Sequence, residues 1–84
     1  MQNILDLIEA IKSVRLLPCE YQGDYEIHGG VTGDSFNFGH IHGGIITLNR
    51  SIRSESPEIA RQYNTLRHAL AKKQIRFEED NLGS

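Results

Sequence analysis

Apolar positions change period three times along this chain. From Asn3 to Leu17, residues Ile4, Leu7, Ile8, Ile11 and Val14 recur every three or four positions, the spacing that lines one face of a helix. Asn3 suits an N-cap. Asp6 and Glu9 fall in the early turns and Lys12 and Arg15 in the late ones, each where the helix dipole favours its charge. Pro18 ends the segment, because the residue before a proline avoids the helical region. The pattern predicts an amphipathic helix of about 13 residues.

The period then falls to two. Asp24-Tyr25-Glu26-Ile27-His28 alternates polar and apolar, as does Ser35-Phe36-Asn37-Phe38-Gly39-His40-Ile41-His42. Thr32-Gly33-Asp34-Ser35 supplies turn residues between them, and Gly43-Gly44 leads into a third strand, Ile45-Ile46-Thr47-Leu48-Asn49. Three antiparallel strands in a meander is the economical arrangement. After a polar connector, Ser56 as N-cap and Pro57 at the first helical position announce a second helix, whose Ile59, Tyr63, Leu66 and Leu70 share one face. Ile75–Glu78 alternates again and reads as a short edge strand, and residues 79–84, like 1–2, read as frayed. The fold expected is a single α+β domain over residues 1–84 in the order α-β-β-β-α-β.

Composition narrows the function classes. Eighty-four residues make one domain with a small core, a size at which self-association is a common support. Cys19 is the sole cysteine, so no disulfide forms within the chain; it reads as a small, partly buried residue before a strand and suits a reducing interior. A net charge of −2 offers no global field for nucleic acid or an acidic membrane. No apolar run approaches a membrane span, and the first residues lack a signal peptide's features, so a cytoplasmic location is expected.

Candidate chemistry gathers at a repeat. Ile27-His28-Gly29-Gly30 returns fourteen residues later as Ile41-His42-Gly43-Gly44, in a stretch holding three of the four histidines and six of the eight glycines. Glycine lets a backbone approach a ligand and offers N–H groups to an anion, so His28, Gly29, Gly30, His40, His42, Gly43 and Gly44 form a candidate ligand-binding set. Turn geometry alone also accounts for the glycines and is the commoner reason for such pairs, and no phosphate-binding glycine motif is present.

His40 and His42 stand at i and i+2, on one face of a regular strand, and neutral imidazoles suit zinc. The third ligand would be His28, Asp24 or Glu26, and the hairpin register decides. A two-residue turn at Gly33-Asp34 sets Tyr25, Ile27, Phe36 and Phe38 with the histidines. A three-residue loop sets Glu26 and Asp24 opposite His40 and His42, and only that register makes a metal site.

Two further features lie in the carboxyl half. Gly44-Ile45-Ile46-Thr47-Leu48-Asn49, followed by Tyr63-Asn64-Thr65-Leu66-Arg67-His68-Ala69-Leu70, resembles the core of small zinc peptidases related to phage-repressor-cleaving ImmA and IrrE. In that family a strand ending in Leu-Asn precedes a helix reading Thr-Leu-x-His-Glu-x-x-His. Thr65, Leu66 and His68 match, but Ala69 stands at the catalytic glutamate and Lys72 at the second histidine, so peptidase activity does not carry over. The similarity covers about a third of the chain. Arg61, Arg67, Lys72 and Lys73 also concentrate positive charge on the second helix and form a candidate partner-binding surface.

The reading preferred from these residues is a small non-enzymatic binding or regulatory protein. It would be a homo-oligomer that binds a protein partner or a small anionic ligand without a cofactor, of the size used by phage or mobile-element accessory proteins. The competing readings are a small metal-dependent hydrolase or lyase using zinc on His40 and His42, and a nucleic-acid-binding adaptor, which the lack of aromatics among the basic residues disfavours.

Overall fold

A computed structural model describes residues 4–30 and 33–81. Its elements run α1 (Ile4–Ser13), β1 (Leu17–Tyr21), β2 (Asp24–Gly29), β3 (Phe36–His42), β4 (Ile45–Asn49), a 3-10 helix (Arg50–Ser54), α2 (Pro57–Lys72) and β5 (Glu78–Asp80). The α+β class holds, with two helices and one mixed sheet. That sheet has five strands rather than three and an edge.

Both helices end in the same device. Arg15 takes a left-handed φ of 64°; its N–H donates to the Lys12 carbonyl at 2.9 Å, and Leu16 N–H reaches back to the Ile11 carbonyl at 3.1 Å. In α2, Gln74 has φ 59°, its N–H donates to Ala71 at 3.0 Å, and Ile75 N–H donates to Leu70 at 2.9 Å. These paired bonds are the Schellman motif, and the buried Leu16 and Ile75 supply its apolar contact. The motif closes α1 at ten residues, short of the 13 or so expected from periodicity. It also consumes Ile75, so the last strand starts at Glu78 and takes in Glu79 and Asp80, which the sequence alone assigns to a frayed tail. The amino end of α2 is as expected, with Ser56 Oγ accepting the Ile59 N–H at 3.3 Å. Asn3, Thr32 and residues 1–2 and 82–84 lie outside the described residues.

The strand missed in the sequence is β1. Pro18 lacks an N–H, but β1 is the outermost strand and pairs only with β2, where proline is tolerated. Gln22 (φ 51°) and Gly23 (φ 86°) make the two-residue turn between them, and Gly43 (φ 58°) and Gly44 (φ 79°) repeat it between β3 and β4. Two successive positive φ values give the turn whose twist matches a hairpin's. β1 to β4 form an antiparallel meander, and β5 joins β4 in parallel after the chain returns through α2. Cys19 is therefore exposed within a strand, not half-buried before one.

One core fills the space between helices and sheet. Leu7, Ala10 and Ile11 of α1 and Ile59, Tyr63, Leu66 and Leu70 of α2 meet Ile27, Phe38, Ile41, Ile46 and Leu48 from the strands. Tyr63 donates its hydroxyl hydrogen bond to Glu79 on β5, and Arg67 stands 3.5 Å from the same carboxylate. Burial first, and then that hydrogen bond, push the Tyr63 phenol well above its ordinary pKa. Gly39 lets β3 lie close to β4: a Cβ there would sit 2.5 Å from the Thr47 carbonyl oxygen and 3.0 Å from Leu48 Cα.

Two substitutions test these contacts in opposite directions. Gly39→Ala forces β3 away from backbone that cannot yield, and urea denaturation should show a loss of about 1–3 kcal/mol. Arg15→Gly relieves a left-handed conformation that costs a side-chain-bearing residue roughly 1–2 kcal/mol. Glycine gives back part of this as backbone entropy, so a net gain of about 0.5–1 kcal/mol is expected.

Candidate binding face of the sheet

With both helices on one side, the alternate residues of every strand face outward. Successive strand pairings align Cys19 with Glu26, Glu26 with His40, His40 with Thr47 and Thr47 with Glu78, one row across all five strands. A neighbouring row holds Asp24, His42 and Ile45. Leu17, 64% exposed, lies opposite His28 at one end of the sheet, and Ile45, 56% exposed, lies at the other.

Of the registers open to the β2–β3 hairpin, the structure has the one that sets acidic residues against the histidines. Glu26 pairs with His40 and Tyr25 with Ile41, which brings Asp24 beside His42. A three-residue loop does not produce it. The connection from Gly30 to Ser35 is longer, and an irregularity between Ile27 and His28 absorbs one residue of β3, so that Ile27 pairs with Gly39 but His28 with Asn37.

His42 Nδ1 lies 2.7 Å from Asp24 Oδ2, and the Gly43 N–H donates to the other carboxylate oxygen at 3.4 Å. The His42 hydrogen bond is the main reason the Asp24 carboxyl sits below its ordinary pKa; desolvation works against it, and Gly43 adds to it. His28 Nε2 stands 3.3 Å from Glu26 Oε2. Asp24, Glu26, His40 and His42, with Tyr25 and Ile41, line a shallow groove of about 220 Å³.

The candidate ligand-binding set thus divides. His40 and His42 share the groove, and His28 lies on the same face beside Glu26. The glycine pairs lie at opposite ends of the sheet. Gly29 is packed under Leu16, where a Cβ would meet Leu16 Cδ2 at 1.9 Å, and the Gly30 carbonyl accepts from Gln62 Nε2 at 2.9 Å. Gly43 and Gly44 form a hairpin turn. Only the Gly43 N–H touches the groove.

On the helix layer, Arg61 and Lys72 are exposed, Arg67 is held by Glu79, and Lys73 lies 3.5 Å from Glu9. His68 is exposed while Leu66 is buried, so α2 offers one histidine on its outer surface, with Ala69 and Lys72 where the zinc peptidases carry glutamate and histidine. Among the described residues, no group of three or more His, Cys, Asp or Glu side chains is arranged to hold a metal, and no helix is long and apolar enough to cross a membrane.

Sequence reasoning overlooks Cys19, Leu17, Ile45, Glu78 and Asp80 as members of this face. The available signal is Gln22-Gly23, a turn dipeptide two residues long between Leu17–Tyr21 and the strand starting at Asp24. Compared with known proteins, no family model matches the chain, and no curated protein or solved structure is significantly similar to it.

A depressed carboxyl favours the folded state above its unfolded pKa and loses that contribution as pH falls through the folded value. In a carbon-detected titration, the Asp24 carboxyl of the intact protein should titrate below 3.8, and His42→Ala should return it toward that figure. An unmoved titration would mean the pair does not persist in solution.

Proposed function

We propose that this protein is a non-enzymatic binding module whose open sheet face docks a basic segment of a protein partner. The observation that carries this reading is the segregation of charge. No strand contains a lysine or arginine: all nine basic side chains belong to helices and connectors. The outer face presents Asp24, Glu26, Glu78 and Asp80, with Leu17 and Ile45 as exposed apolar anchors at its two ends. Charge complementarity of this kind steers association and selects partners, while the apolar residues supply burial.

The same carboxylates weigh against a small anionic ligand in the groove, and they oppose packing two copies face to face. The core closes within one chain, so a second copy is not needed to complete it. Self-association belongs instead at the free edge of β1, where pairing extends the sheet without bringing like charges together.

The test is a nuclear magnetic resonance titration with a synthetic peptide alternating lysine and leucine, beside a matched peptide of glutamate and leucine. The lysine peptide should shift amides of β2, β3 and β5, its affinity should fall with salt, and the glutamate peptide should do nothing. An Asp24→Lys, Glu26→Lys variant should weaken binding about tenfold or more. Shifts spread evenly over both layers, or undiminished binding by the variant, would refute the reading.

A further inference from the structure

Docking by the carboxylates leaves the histidines of the face without a task, and their geometry suits a different ligand. His40 and His42 leave β3 in the same direction, with Cα atoms about 7 Å apart at the rise of an antiparallel strand. Two imidazoles so placed can turn their nitrogens toward one point. An ion bound at about 2.0–2.1 Å by each needs them only some 3.3 Å apart.

The state of each ring favours this. A carboxylate oxygen 2.7 Å from His42 Nδ1 requires the proton on that nitrogen, so the neutral ring carries its bare lone pair on Nε2. A carboxylate behind a histidine, fixing its tautomer and raising its basicity, is the usual outer support of a metal-bound imidazole. Among the described residues the His40 side chain makes no hydrogen bond, so no partner has to be displaced from it. His42 is open to solvent, its side chain 78% exposed, so an ion can reach it from water. Glu26, opposite His40, and Asp24 add negative charge beside the point of convergence without closing a third ligand position.

We infer that His40 and His42 form a two-histidine chelate for a borderline divalent cation of the zinc, nickel or copper class, with Asp24 as the positioning residue behind His42. Water fills the remaining positions. Magnesium and calcium, which take oxygen donors, are excluded by the two nitrogens. The inference is independent of the docking proposal, because it concerns the ion alone. The two meet in one respect: a bound dication among the four carboxylates would lower the face's attraction for a basic segment.

The experiment is calorimetric titration of the metal-stripped protein with zinc chloride and, separately, nickel chloride and magnesium chloride, with the imidazole resonances followed in parallel. One equivalent of zinc or nickel should bind with micromolar affinity and perturb the rings of His40 and His42 but not His68; magnesium should not bind. His40→Gln and His42→Ala should each weaken binding tenfold or more, with thermal melts confirming that both variants fold. Asp24→Asn should weaken it about tenfold while leaving both ring signals responsive. His28→Ala and Cys19→Ser should bind as the parent does. Retained binding in His40→Gln or His42→Ala would overturn the assignment. So would loss of binding in Cys19→Ser, or the absence of any zinc binding below millimolar concentration.

Discussion

The register of β2 against β3 is the constraint on which the rest of this molecule depends. A slip of one residue exchanges the two faces of a strand. Here it would carry Ile27 or Ile41 into water and drive Asp24 and Glu26, or His40 and His42, against Tyr63 and the leucines of α2. Burying an unpaired carboxylate is far costlier than the apolar burial at stake, so the core alone selects one register. The outer face follows as its complement. Gly39 constrains the neighbouring β3–β4 pair, because a side chain there would clash with the Thr47 carbonyl and Leu48 Cα of β4.

The parts legible in the sequence are those whose evidence is local. Ser56 and Pro57 mark the start of α2, and its apolar face reads at helical spacing. The alternation of Asp24–His28 and Ser35–His42 marks two strands, and Gly43-Gly44 marks their exit. Where local signals conflict, the pattern misleads. Leu16-Leu17-Pro18 looks like the decay of a helix because Arg15 and Gln74, the residues that terminate both helices, are not glycines and give no warning of a left-handed cap.

The candidate site shows the same division. That His40 and His42 share a face follows from one strand's geometry. That Glu26 stands opposite His40 depends on an irregularity at Ile27/His28 that no short window reveals. The five-residue row from Cys19 to Glu78 is assembled by four separate pairings, one of them parallel and thirty-one positions apart in the chain, Thr47 with Glu78. The repeated Ile-His-Gly-Gly is prominent in sequence, yet its two copies have different roles. In one pair Gly29 makes room for Leu16 and Gly30 for the Asp34 carbonyl and Phe36, and the other pair turns a hairpin.

The constancy of the outer face rests on its shortest strand. β5 has three residues, all exposed, and lies at the sheet's edge. Besides its ladder to β4, it is held by Glu79, which engages Tyr63 and Arg67. Short edge elements of this kind open at free energies well below that of global unfolding. Glu78 and Asp80, half of the four outward carboxylates, ride on it. Local detachment of this one strand would therefore leave the meander and its histidines in place while halving the face's charge. The face's electrostatic strength is in this sense a population-weighted quantity, governed by how firmly the β4 ladder and the contacts of Glu79 with Tyr63 and Arg67 hold one short strand.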